Sequence, residues 1–429
     1  MFISACEDES GEEQLQRAAV AIRDAYADVD PDIRDAINRG EDPVIDISVS
    51  FDGSWQKRGF TSLYGIGVCI DVLTGLVIDY HVRSKHCHTC NMLEARDLPP
   101  AELAQRREEH APDCDINHAT SSKAMEVESA KVMWQRSEEK FKFRYTQMLS
   151  DGDSSAFKAV CEARPYGPDV TIEKLECVNH VHKRMGTALR KLTKEERLGG
   201  RGQGRLTEAK CVSLQNFYRG AILDNLPNVN NMRNAIWAGL YHSMSTDDEP
   251  HHRQCPSGRD SRCWYQAALA RNEVPGSHRD HPSHTALSVA VAHKLLPLYR
   301  RMSDESLLRR MEHGGTQNNN ECFNSTVWVR CPKTAFMGKQ RLMGCVARAV
   351  CAFNEGATEM MTVMNKMNLD IANITIDILQ KKDQRRISRA DAAHAASARE
   401  RRRALTQQQR ARVRAENQQD GDTYVPGGH

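Results

Sequence analysis

The stretch "VIDISVSFDGSW", residues 44–55, constrains this chain more than any other. Ile45, Ile47, Val49 and Phe51 alternate with Asp46, Ser48, Ser50 and Asp52. A period of two puts the apolar set on one face of a β-strand and the polar set on the other. Gly53 and Ser54 are turn residues, so the strand is predicted to end there, with Asp52 at its C-terminal end on the polar side. "TSLYGIGVCI", the turn "DVLTG" and "LVIDYHVRS" predict an antiparallel hairpin. "FKFRYTQML" predicts a further strand that runs into "SDGDSSAF", so Asp151 also lies just past a strand and before a helix. "VTIEKLEC" adds one more strand, after which the apolar spacing becomes helical, as in "LTEAKCVSLQNFYRGAILDNL" and "VNNMRNAIWAGLYHSM".

An α/β fold follows, in a chain of 429 residues that is 40% hydrophobic and 27% charged. No apolar run approaches the roughly 18 residues that span a bilayer, so no membrane partner is expected. "MFISACEDESGEEQ" is too acidic for a signal peptide, and we expect a soluble intracellular protein. In that compartment the 14 cysteines do not form a disulfide framework, and several stand close to histidines, which points to metal. The net charge of +2 hides an asymmetry. Residues 1–46 are acidic, whereas 381–414 carry twelve Lys/Arg against three acids. That tail lacks Pro and Gly and reads as a long basic helix, either solvated or in contact with phosphate.

A single carboxylate stands out downstream. In "HGGTQNNNECFNSTVW", Glu321 is surrounded by Gln317, Asn318, Asn319, Asn320 and Asn324, with no Lys or Arg among them. Two strand-end aspartates and a later glutamate are the hard oxygen ligands that divalent-metal phosphoryl chemistry uses, with two ions about 4 Å apart. Asp153 rivals Asp151 for the second place, although it also reads as the N-cap of the following helix.

Taken in order, "SFDGSWQKRGF", "TGLVIDYHVRSKHCHTC", "LSDGDSSAFKAV", "ECVNHVHKRMGTALRKL" and "GGTQNNNECFNSTVW" resemble the Mutator-like transposases, a branch of the DDE transposases. The resemblance runs from about Asp46 into the tail. It implies a ribonuclease-H-like mixed sheet with a helical insertion, and it assigns the metal-binding triad to Asp52, Asp151 and Glu321. It also implies a Cys-x-x-His motif near the active site, matched by Cys177 and His180. The expected organisation is an acidic leader over 1–43 and a first part of the core over 44–195, with a zinc loop at 86–118. A helical insertion over 196–312, core helices with the glutamate over 313–380, and a basic helical tail over 381–429 complete it. The family's usual N-terminal DNA-binding module is not expected in the fifty or so residues before Asp52, which hold no zinc-finger spacing.

Two zinc sites are expected. Cys87 and Cys90 form a C-x2-C pair, and "EEHAPDCDINH" offers His110, Cys114 and His118. Five donors compete for four tetrahedral places; Cys87, Cys90, His110 and Cys114 are favoured, with His118 as substitute. His242, His252, Cys255 and Cys263 form the second candidate site, with His251 as an alternative. Cys69, Cys345 and Cys351 lie in apolar runs and read as core. The function implied is Mg²⁺- or Mn²⁺-dependent cleavage and strand transfer of double-stranded DNA, with no covalent protein–DNA intermediate. A nuclear homo-oligomer is expected. The alternative is a domesticated or truncated relative that binds DNA without cutting it.

Overall fold

The computed structural model describes residues 2–57, 61–96, 98–151, 155–280, 286–334 and 337–394. Two N-terminal helices, α1 (Phe2–Val29) and α2 (Pro31–Asn38), precede strand β1 (Ile45–Trp55). Strands β2 (Tyr64–Asp71) and β3 (Val77–Ser84) form the predicted hairpin. Two short helices follow, α3 (His88–Glu94) and α4 (Pro100–His110), and then the long α5 (Ser122–Phe141). Strand β4 (Phe143–Ser150), helix α6 (Ser155–Ala163) and strand β5 (Glu173–Glu176) complete a mixed five-stranded sheet of order β3-β2-β1-β4-β5. β1 pairs antiparallel with β2 and parallel with β4, and β4 pairs parallel with β5.

β1 does not stop at Gly53. Gly53 pairs with Gly67, and Trp55 with Gly65, so Asp52 lies inside the strand opposite Val68. These glycines are there for close approach rather than for a turn. A Cβ on Gly53 would come within 2.7 Å of the Glu126 side chain, and one on Gly67 within 2.6 Å of Ser129 Cβ, both on α5.

The sheet's apolar side chains Ile47, Val49, Phe51 and Val68 share one core with Trp134 of α5 and with Leu15, Ala19 and Ile22 of α1. The stretch that composition marks as an acidic leader is therefore a helix that helps build the core. From α7 (Val178–Glu195) onward a second core forms. It draws on α8 (Glu208–Leu223), α9 (Val229–His242), α11 (Val289–Met302) and α12 (Glu305–Arg309), with the short α10 (Trp264–Ala270) between. This cluster reaches from Val178 to Met311, so it takes in α7 ahead of the expected start at residue 196.

The chain then returns to the sheet. Phe323 and Val327 of α13 (Asn318–Arg330), and Leu342, Val346 and Val350 of α14 (Lys339–Asn354), join the first core. Helices α15 (Met360–Lys366) and α16 (Asn373–His394) follow. The basic helix thus begins before residue 381, and the rest of the tail, 395–429, lies outside the described residues. Among the described residues no helix is long and apolar enough to cross a membrane.

Candidate active site and metal centres

β1 and β4 are adjacent and parallel, with Ser50 opposite Leu149. Asp52, inside β1, and Asp151, just past the end of β4, each come two residues later. Glu321 sits in the first turn of α13. That helix is fastened to β1 along one face. The side-chain amide of Gln317 donates to Phe51 O at 2.8 Å, and that of Asn320 to Ser50 O at 3.1 Å. Asn324 Nδ2 donates to Asp52 Oδ2 at 2.8 Å, and Trp328 Nε1 to Ser54 Oγ at 2.7 Å. Positions 317, 320, 324 and 328 are spaced as one helical stripe, which brings Glu321 beside them to the polar edge of β1. The neutral polarity around Glu321 is therefore a row of donors that seal a helix against a strand.

Burial pushes the Asp52 carboxyl up to about 6, and the charges of Asp151 and Glu321 push in the same direction, while His180 opposes them. Asp151 and Glu321 themselves are exposed, so the site opens to solvent on that side. Asp153 lies outside the described residues.

Cys177, at the N-cap of α7, accepts a hydrogen bond from Gln317 N at 3.4 Å. His180 Nδ1 is 3.4 Å from Asp151 Oδ1. Against burial, hydrogen bonds from His180 and Gln317 hold the Cys177 thiol below its usual range, and the Cys177 pairing raises His180. The Cys-x-x-His pair thus joins α7, α13 and the second aspartate.

The three carboxylates are hard oxygen donors, and the charges of Asp151 and Glu321 both bear on Asp52. They are more open than the two Cys/His sets. Among the described residues, those two sets are the ones whose donor atoms all lie within 4.8 Å of one another.

The first set is Cys87, Cys90, His110 and Cys114. Cys87 Sγ is 3.1 Å from His110 Nε2, and Cys90 Sγ is 3.5 Å from Cys114 Sγ. Edges near 3.5 Å suit a tetrahedron with bonds of about 2.0–2.3 Å, the zinc geometry. Despite burial, the backbone N–H groups of Cys90 and Asp115 and the His110 ring hold the Cys87 thiol down, at about 6. Burial and the neighbouring thiols push Cys90 up to about 12. Helix α3 buries only Leu93 and α4 buries nothing, so this excursion has almost no core of its own. His118 stands outside the set. Its Nε2 lies 2.9 Å from Ser121 O, and its backbone N donates to Ser84 O at 3.1 Å, so it anchors the loop to β3.

The second set is His242, His252, Cys255 and Cys263. His252 Nδ1 lies 3.2 Å from His242 Nδ1 and 3.4 Å from Cys263 Sγ, and Cys255 Sγ lies 3.5 Å from His242 Nδ1. His251 is not in the set; its backbone N donates to Ser245 Oγ. Sequence reasoning missed the outer partners. His252 Nε2 is 2.8 Å from His278 Nε2, and His278 Nδ1 is 2.7 Å from Asp247 Oδ1. A carboxylate–imidazole pair behind a ligating histidine fixes its tautomer and turns Nδ1 inward. The only sequence signal for it was an unassigned histidine beyond the last ligand.

The family model described as "Mutator-like transposase" matches residues 7–263. The match takes in Asp52, Asp151, Cys177, His180 and both Cys/His sets, while Glu321 lies beyond it. No curated protein and no solved structure matches the chain. With more than half of its 429 residues covered, the chain belongs to the Mutator-like transposase family.

Proposed function

We propose that this protein is a DDE-type DNA transposase on a ribonuclease-H-like core, with Asp52, Asp151 and Glu321 as the catalytic carboxylates. The observation that carries the reading is Asp52: a strand carboxyl pushed up to about 6 by burial and by the other two members of the set. The strand order, three antiparallel strands followed by two parallel ones, supports the fold assignment. Asn324 fixes one oxygen of Asp52. His180 steers Asp151, and the amide row on α13 sets the height of Glu321 over β1.

Bound Mg²⁺ or Mn²⁺ supplies Lewis-acid stabilisation of the attacking and leaving oxygens at the scissile phosphate. The chain's own part is to hold three carboxylates at fixed positions on a surface open to duplex DNA. The two Cys/His sets hold structural zinc. Joining two DNA ends calls for two active sites, so we assign a homo-oligomer, and we place its work in the nucleus because the substrate is chromosomal DNA.

The test is cleavage and strand transfer by the purified protein with Mg²⁺ or Mn²⁺, beside Asp52→Asn, Asp151→Asn and Glu321→Gln. Each variant is expected to lose at least about a thousandfold in cleavage, as for groups stabilising transition-state charge, and to keep DNA binding. Wild-type binding without cleavage would favour a domesticated DNA-binding protein instead.

A further inference from the structure

Between the later turns of α13, α14 and α16 lies a groove of about 760 Å³, outside the carboxylate site. Arg330 and Arg348 line one wall, and Lys382, Arg385 and Arg389 the other. The last three follow one another at helical i, i+3, i+7 spacing, so α16 presents a cationic stripe to the groove. The acids nearby are already engaged. Glu359 is buried 3.5 Å from Arg17, and Asp383 accepts from the backbone N–H groups of Ala357 and Thr358 at 2.8 and 3.0 Å. Arg348 pairs with Glu7 at 3.4 Å. Among the described residues, Arg330, Lys382, Arg385 and Arg389 have no acidic partner, and burial together with Arg348 holds the Arg330 guanidinium below its usual range. Over an apolar floor that includes Met360, Val363, Ile378 and Leu379, these four cations without an acidic partner form a rim that suits a chain of anions.

We infer that this groove seats backbone phosphates of the DNA duplex on which the carboxylate site acts. The inference rests on the proposed DNA substrate and adds a phosphate contact for it outside the carboxylate site.

The experiment is a salt titration of binding to a 30-base-pair duplex of arbitrary sequence, by the full chain and by Arg385→Ala/Arg389→Ala. Both arginines are exposed, so the fold is expected to survive, with an unchanged melting temperature as the check. Loss of two phosphate contacts should weaken binding about tenfold or more near 0.1 M salt and reduce the slope of log Kd against log salt by about 2. A variant with wild-type affinity and slope overturns the groove assignment while leaving the DNA reading intact. A wild-type chain that binds no duplex overturns both.

Discussion

Asp52 is a carboxylate whose fold opposes its ionisation. Its folded value of about 6 stands above the ~3.9 of an unfolded aspartate, so the native state prefers the protonated form. The sign follows from linkage. Between pH 4 and pH 6 the unfolded chain releases this proton first, and the native state loses stability as pH rises. About two pKa units at ~1.4 kcal/mol each, discounted for partial exposure, gives about 2 kcal/mol. Asp52→Asn keeps the acceptor for Asn324 and removes the cost. In EDTA the variant should therefore melt higher than wild type at pH 7 and show little difference at pH 4. A variant less stable than wild type at pH 7 would remove the electrostatic account of this residue. Asn324→Ala is the complementary test. It leaves Asp52 in place without its orienting donor, and metal-dependent cleavage should fall about 10–100-fold with the fold intact. Unchanged cleavage would reduce Asn324 to a packing residue.

At the level of elements, the period of two in residues 45–51 and the hairpin after it were legible because one face of each strand meets a core. Asp52 was legible as a polar-face residue of that strand. Its depth was not, because glycine serves turns and close helix approach alike, and the choice at Gly53 is made by α5. Helix α1 was hidden by its acids, whose partners lie more than a hundred residues away. The C-x2-C spacing of Cys87 and Cys90 was readable for the opposite reason: the donors are local and the segment is too polar to fold otherwise. That polarity gives a prediction. With a single buried side chain across α3 and α4, the 86–118 excursion depends on its metal. Cys87→Ser should lower the zinc content from two per chain to one and expose this excursion to limited proteolysis, while β1 to β3 stay protected. Equal zinc in variant and wild type would remove the site. In the second set, His278→Ala should weaken zinc about 10–100-fold without abolishing it, since His278 acts through His252.

Across the whole molecule, several acids of α1 are paired with cations of other helices. Arg348 and Arg341 meet the buried Glu7 at 3.4 and 3.7 Å. Lys366 meets Glu9 and Glu13 at 3.0 and 2.7 Å, and Lys140 meets Glu12 at 2.8 Å. Glu7, Glu9, Glu12 and Glu13 of α1 thus find cations on α5, α14 and α15. Helix–helix contact is tight there, since a Cβ on Gly11 would come within 2.7 Å of Ala347 Cβ. Glu7 is 1% exposed, but Arg341 and Arg348 are part-exposed, so Glu7→Gln removes two partly screened ion pairs at a cost of about 1–2 kcal/mol. Residues 395–429, with seven arginines against four acids, are not needed to neutralise α1. Their removal should leave the melting temperature unchanged, whereas Glu7→Gln should lower it by a few degrees. The same truncation should weaken binding to all duplex sequences alike and flatten its salt dependence, because arginines on a polar segment release counterions without reading bases. A truncated chain that melts far below wild type, with its salt slope unchanged, would instead make the tail a structural partner of the acidic helix.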